Sequence, residues 1–375
     1  MKVMLWALHF AEYASLLASA LRKHADVLLV VYADNAANEL GPDFRSRISD
    51  TGVALEVLQR PRTPIDVLRN GTALVRLVRR FRPDILHIQE DGRDELVLAL
   101  SGLGRLPVAL TVHDPTPHSG RDAQRYRFSR GRLYHMILRH RANSAITHGQ
   151  ALSQALAQVV PRLSSKTYVI PHGPLGLLHG APPSRHQPGT PARLLFFGRI
   201  HAYKGLRYFV EAVRTLYEQG MQVIGIVAGR GSDLDQYRDE MLAAGCFEIR
   251  DRYIDAGEVV ELFRQSDLVV LPYTDATQSG VAAMALGYGI PVIATAVGSI
   301  PEFVRHDFNG RLVPRKDVTA LVQAIQQVLD KPGEYERLSH NAIDLRDGEL
   351  SWRHIAELTM ICYLRTCSST PRKKH

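Results

Sequence analysis

The chain has 375 residues, 45% of them hydrophobic and 22% charged, proportions that exclude intrinsic disorder and exceed what one ordinary core organises, so two domains are expected. The formal net charge of +8 favours an anionic partner such as nucleic acid, a membrane surface or a phosphorylated substrate. Cys246, Cys362 and Cys367 are spaced for neither a disulfide framework nor a zinc site, and as ordinary reduced thiols they point to the cytoplasm.

No run of about 18 apolar residues occurs, so a membrane-spanning helix is not expected. The start, Met1 to Leu8, is too short an apolar run for a signal peptide and reads as a first buried strand. Further strands are expected at residues 27–32, 84–88, 108–112, 144–147 and 167–170, with amphipathic helices at 13–23, 67–80 and 132–141 between them. This alternation implies a parallel sheet covered on both faces. The pattern breaks at "PHGPLGLLHGAPPSRHQPGTPA", residues 171–192, whose Pro and Gly prevent regular structure.

A second series follows, with strands at 193–197, 223–228, 247–249, 268–271 and 291–295, helices at 206–219 and 259–265, and helical patterns from Asp317 to about Thr366. The reading is therefore α/β, two doubly wound Rossmann-like domains with a cleft between them. The boundaries are 1–175, a linker at 176–192, a second domain at 193–345, and a helical segment at 346–375 returning toward the first domain. The last five residues read as a frayed basic tail.

In open α/β sheets ligands bind beyond the carboxyl ends of strands. After the strand ending at Phe197 comes "GRIHAYKGL", in which Gly198 opens a bend and the cations of Arg199 and Lys204 can converge on one diphosphate. A solvated basic loop is the plainer alternative. The loop Gly229-Arg230-Gly231 lets backbone approach a ligand, although a plain strand-to-helix turn explains it equally well. Gln278, Ser279, Gly280 and Val281 present amides at a helix start, where the dipole favours an anion. Asp275, on the other side of that turn, suits sugar hydroxyls better than phosphate.

In the first half, His113 and Asp114 of "LTVHDPTPHSG" end a strand, where His113 can bind a hydroxyl or act as a general base. The bland alternative is a histidine hydrogen-bonded inside its loop. His118 and His148 are further candidates, and His172 of "IPHG" reads as hinge support. No spacing suits a metal, so no metal or cofactor is expected. Arginines crowd residues 62–82 (Arg69, Arg76, Arg79, Arg80) and 121–141 (Arg125, Arg127, Arg130, Arg132, Arg139). With Leu68, Val75, Leu77 and Val78 among them, the first group resembles an amphipathic surface for anionic lipid, or else a solvated helix face. No nucleic-acid-binding motif accompanies them, so nucleic acid is not the expected partner.

Three segments, "FFGRIHAYKGLRYFVEAV", "DRYIDAGEVVELFRQSDLVVLPY" and "GYGIPVIATAVGSIPEFVRHDFNGRLVP", resemble the carboxyl-terminal half of retaining glycosyltransferases of family four (glycosyl transferases group 1), which have the GT-B fold. "DILHIQ", "LTVHDPTPHSG" and "VIPHG" extend the likeness into the first half.

The resemblance implies a UDP- or GDP-linked sugar as donor and a metal-independent hexosyltransferase of the EC 2.4 type. It implies a glycan or lipid-linked acceptor in polysaccharide or glycoconjugate synthesis; taken with the reduced thiols and the basic helices, the expected location is cytoplasmic, peripheral at the inner membrane face. Arg199 and Lys204 would bind the diphosphate and stabilise the leaving nucleotide. Arg252, Tyr253 and Ile254 would lie beside the base, and His113 would contact the donor sugar near the reacting carbon. Front-face attack, with the leaving phosphate taking the acceptor's proton, would retain configuration. Members commonly carry two glutamates eight positions apart on the third loop. Here Asp275 stands for the first with a one-residue shift, while the second falls near Met284, so this is a variant without the usual second glutamate. Glu302 of "SIPE" follows the pattern and is given a structural role. The alternative is a GT-B sugar-nucleotide-binding scaffold or epimerase without transferase activity.

Overall fold

Strands rich in Val, Ile and Leu on consecutive positions have no polar face to give to water, so each must lie inside a parallel sheet with helices on both sides. A computed structural model describes residues 1–116, 130–177, 191–276 and 278–369 and divides the chain into two units. One is Met1–Gly173 together with Trp352–His375, the other Pro174–Ser351. His118, Arg121, Arg125, Arg127, Thr277, most of the Pro/Gly-rich stretch and the basic tail lie outside the described residues.

The first unit has seven strands: β1 (Lys2–Ala7), β2 (Asp26–Tyr32), β3 (Ala54–Leu58), β4 (Ile85–Gln89), β5 (Val108–Thr111), β6 (Ser144–Thr147) and β7 (Thr167–Val169). Their order is β3-β2-β1-β4-β5-β6-β7, all parallel, with Val3 of β1 opposite Val27 on one side and Ile85 on the other. Edge strand β3 is half-exposed and too weakly patterned to be expected from sequence.

Helix Pro64–Phe81 begins three residues before the expected start. Thr63 and Asp66 form a reciprocal capping box there, and Pro64 supplies a preset first turn. Leu74 and Leu77 are buried, and Val75 and Val78 pack against the same core. Of the apolar residues expected among the arginines, only Leu68 is exposed, and Ile65 joins it.

The second unit has six parallel strands: β8 (Ala192–Phe197), β9 (Val223–Ala228), β10 (Phe247–Arg250), β11 (Leu268–Leu271), β12 (Val292–Thr295) and β13 (Gly310–Val313). Their order is β10-β9-β8-β11-β12-β13. Alternate residues of β8 feed opposite cores, Leu194 and Phe196 on one face and Leu195 on the other. Strand β13, absent from the sequence reading, opens at Gly310, where a Cβ would sit 2.1 Å from the Val292 carbonyl oxygen, so only glycine lets it pair with β12. Leu175 donates its amide to the Ala283 carbonyl (3.0 Å), and a Cβ at Gly287 would meet the Leu175 oxygen. The second unit therefore begins at Pro174, within the Pro/Gly-rich stretch and before the expected linker at 176–192 rather than after it.

Helices Val318–Asp330 and Glu334–Asp347 stay with the second unit, whereas Trp352–Ser369 packs on helix Ala11–Leu21 of the first. Trp352 lies against Gly173, where a Cβ would be 2.4 Å from its ring.

Arg139, counted in sequence among surface cations, is buried in helix Arg130–Arg141. It grips Glu90 with two bonds, Nε to Oε1 at 2.7 Å and Nη2 to Oε2 at 2.8 Å, and donates to the carbonyls of Pro115 (2.9 Å) and Asp114 (3.0 Å). One guanidinium thus ties the end of β4 to the loop that follows His113. Arg139→Met, which strands Glu90 as a buried unpaired carboxylate, is expected to destabilise the fold by about 3–5 kcal/mol. Denaturant unfolding should show this as a lowered midpoint; an unchanged midpoint would refute the clamp.

Candidate active site

In the second unit, the neighbours β8 and β11 are where the strand order reverses, so the loops leaving them diverge and leave a crevice beyond their carboxyl ends. Three sequence-selected loops meet there. Gly198 follows β8 with φ +103°, and a Cβ on it would lie 2.8 Å from the Lys204 Nζ and 3.7 Å from Val281. Gly229 follows β9, and a Cβ there would strike the Gly198 carbonyl at 1.9 Å; one on Gly231 would strike that of Ile200 at 1.8 Å. Both glycines let two loop backbones touch. Ile200 donates to the Arg230 carbonyl at 3.0 Å, and Thr274 to that of Tyr203 at 2.7 Å, so the loops after β9 and β11 are each stitched to the loop after β8.

Lys204 ends a short 3-10 turn, Ala202–Lys204, and is only 8% exposed. Its Nζ is 3.4 Å from the Phe197 carbonyl oxygen and 5.4 Å from the centre of the Tyr273 ring. Among the described residues no carboxylate forms an ion pair with it. Desolvation pulls its pKa down to about 8, opposed by Tyr203 and reinforced by the charge of Arg199. Arg199 and Arg230 are exposed.

Ser279 caps helix Gly280–Tyr288, its hydroxyl accepting from the Ala282 amide at 3.2 Å. The amides of Gly280 and Val281 lie outside the helical ladder, at the positive end of the dipole. The Tyr273 phenol, buried and pushed up to about 12 by desolvation, hydrogen-bonds Ser279. Asp275 and Gln278 are half-buried beside this turn.

Other expected members stand differently. Tyr253 is 63% exposed, whereas Ile254 is buried in the core with Val259 and Val260. Arg252 pairs with Glu258. Met284 packs against the core, and Glu302 is exposed on the short helix Ile300–Phe303. Among the described residues no three His, Cys, Asp or Glu side chains converge as metal ligands would.

In the first unit, His113, His148 and His172 follow β5, β6 and β7 and form one buried cluster. His148 lies 5.0 Å, centre to centre, from each of the other two rings. Tyr13 meets all three, and Phe10, held in the left-handed region at φ 62°, stacks on His113 at 3.9 Å. Burial keeps the rings neutral, depressing His148 to about 3, His172 to about 4 and His113 well below its ordinary value. His148 and His172 each have Nδ1 on a backbone carbonyl, of Ile170 (3.0 Å) and Gly173 (2.6 Å). His172 therefore belongs to this cluster, where sequence had assigned it to a hinge.

Sequence reasoning missed Tyr273, Tyr13 and Phe10, which pattern alone assigns to core or turn. It also passed over His87 and Gln89, whose polar side chains at alternate positions of a buried strand were the available signal.

Comparison with known proteins agrees with both halves. The family described as "Glycosyltransferase Family 4" matches residues 11–173, and that described as "Glycosyl transferases group 1" matches residues 191–331. A glycogen synthase of Mycobacterium tuberculosis is 25% identical over 311 residues, covering 80% of this chain and 73% of that protein. The 2-deoxystreptamine N-acetyl-D-glucosaminyltransferase of Streptomyces fradiae is 29% identical over 276 residues, 68% of this chain and 64% of that protein. The crystal structure of Anabaena HepE in complex with UDP and glucose superposes with a TM-score of 0.71 at 18% identity, covering 97% of this chain and all of that one. With the first sheet inside one signature and the second inside the other, in chain order, the protein belongs to the group 1, family 4 glycosyltransferases and has the GT-B fold.

Proposed function

We propose that the protein is a retaining hexosyltransferase that moves a hexose from a UDP- or GDP-linked donor to a glycan or lipid-linked acceptor. The observation that carries this reading is the buried Lys204 ammonium, with Arg199 beside it and the helix start at Gly280 facing the same crevice. A diphosphate supplies the missing counter-charge, and its charge grows as the sugar–phosphate bond breaks. Lys204, Arg199 and the amides of Gly280 and Val281 stabilise that developing anion, and the sugar carbon takes on oxocarbenium character. Asp275 takes sugar hydroxyls, and Tyr253 lies beside the base. His113 is the group of the first unit that we assign to the donor sugar. Retention follows from attack on the face the phosphate leaves, with a phosphate oxygen accepting the acceptor's proton. No metal enters this scheme.

The charge balance of Lys204 makes the reading testable. In the free protein its pKa is about 8, and a bound diphosphate favours the ammonium and raises it. Binding then takes up a proton above that pH, so affinity is level below pH 8 and falls above it. Calorimetry at about pH 8.5 in buffers of different ionisation enthalpy should record proton uptake on UDP or GDP binding, and Lys204→Met should abolish it. Lys204→Ala should lower transfer about 10²–10³-fold with the fold intact. Near-normal turnover in that variant would remove Lys204 from the site. A thermal-shift screen of UDP-, GDP-, ADP- and TDP-sugars, with Arg199→Ala as control, should show stabilisation by one base that the variant loses.

Helix Pro64–Phe81 supports an acceptor at an anionic membrane. Ile65 (76% exposed) and Leu68 (57%) share its outer face with Arg76 and Arg79, whereas Arg69 and Arg80 are paired with Asp66 and Glu56. No described helix is long and apolar enough to cross a bilayer. Flotation with vesicles containing phosphatidylglycerol should carry the protein upward, and neutral vesicles should not. Indifference to lipid charge would refute this surface.

A further inference from the structure

Strand β4 is buried throughout, yet carries His87 and Gln89, two residues apart and therefore on one face. Burying either without a partner would cost about 1–3 kcal/mol. Both belong to one chain of hydrogen bonds. His87 Nδ1 lies 2.6 Å from the Tyr363 hydroxyl of the C-terminal helix, and His87 Nε2 lies 2.7 Å from Thr111 Oγ1. Gln89 Nε2 faces His87 Nε2 at 3.5 Å, and Gln89 Oε1 lies 2.9 Å from His113 Nε2.

The direction of this chain decides a tautomer. A carboxamide oxygen only accepts, so the proton of His113 sits on Nε2, and Nδ1 carries the lone pair. At its other end the amide donates toward His87 Nε2, which accepts and leaves its own proton on Nδ1, facing Tyr363. Stacking on Phe10 holds the plane of the His113 ring but not its rotation within that plane. The in-plane bond to Gln89 restrains that rotation.

We propose that Gln89, backed by His87 and Tyr363, is a positioning residue that holds His113 as its Nε2–H tautomer, with the lone pair on Nδ1. The function of this device rests on the assignment of His113 to the sugar; the tautomer itself does not. The C-terminal helix thereby enters the site through Tyr363, though it touches no reacting group.

Two measurements on the full chain separate these layers. Ring 15N shifts of histidine-labelled protein, with His113 assigned by the signal lost in His113→Gln, should show protonated Nε2 and bare Nδ1. In Gln89→Met the two nitrogens should move toward an averaged, mixed tautomer; an unchanged pattern would overturn the proposal whether or not the protein transfers sugar. In kinetics, Gln89→Met should lower kcat/KM about tenfold, one neutral hydrogen bond's worth, in the wild-type background and not further in His113→Ala. Additive losses would mean that Gln89 does not act through His113.

Gln89→Glu covers the case in which Gln89→Met does not fold. It keeps the acceptor, and its carboxylate favours the imidazolium, so the acidic limb of the pH–rate profile should move upward. An unmoved limb counts against the proposal. Absence of turnover with every donor would sink the transferase reading alone, since the 15N pattern still decides the tautomer.

Discussion

A lysine ammonium held out of water, with no carboxylate paired to it among the described residues, is the constraint on which the second unit depends. Desolvation lowers the Lys204 pKa from 10.5 to about 8, a cost of about 3 kcal/mol that the free protein carries. Much of the local sequence is explained by making that position available. Gly198 leaves room for the Nζ, Gly205 lets the chain turn against the Pro272 carbonyl, and Gly229 and Gly231 let neighbouring loops lie backbone to backbone. In the proposed function a bound anion would offset this desolvation cost, and the site would be built for its ligand before the ligand is present. Reorganisation, the usual cost of electrostatic stabilisation in water, is already done.

The first unit has the same strand order at its centre but opposite chemistry at its carboxyl ends. There the buried ring cluster is neutral: four imidazoles, two phenols and an amide, each ring nitrogen that is bonded meeting a carbonyl, hydroxyl or amide partner. Charging any ring would expose a cation to a dry core, which is why burial depresses all four histidines. Neutral imidazoles with set tautomers suit hydroxyl recognition, as fixed cations suit phosphate. The Arg139–Glu90 pair sits behind this arrangement and fixes the loop carrying His113.

Legibility followed the range of the interactions. Strands β2, β9 and β11 were plain because a run of β-branched and aliphatic residues buried on both faces leaves no other reading. Strands β3 and β13 were not, since one is a half-exposed edge and the other is opened by a glycine that reads as a turn until Val292 is placed beside it. Arginine is charged in any sequence, so Arg139 counted toward a basic surface; only its contact with Glu90, 49 residues away, puts it inside. Likewise Leu77 and Val78 seemed to share a face with arginines that the helix turns outward.

By itself the sequence determined the alternation of strands and helices, the break between two such series and the three loops that can meet an anion. These are matters of local pattern, of Gly and Pro geometry and of strand ends. Tertiary structure alone decided which cation is buried, which histidines touch and which partners their ring nitrogens meet. Such properties depend on distant partners: Lys204 on Tyr273, His172 on Tyr13, and His113 on a strand 24 residues earlier and a helix at the far end of the chain. A residue's charge state and tautomer belong to its surroundings, and the surroundings exist only once the chain has folded.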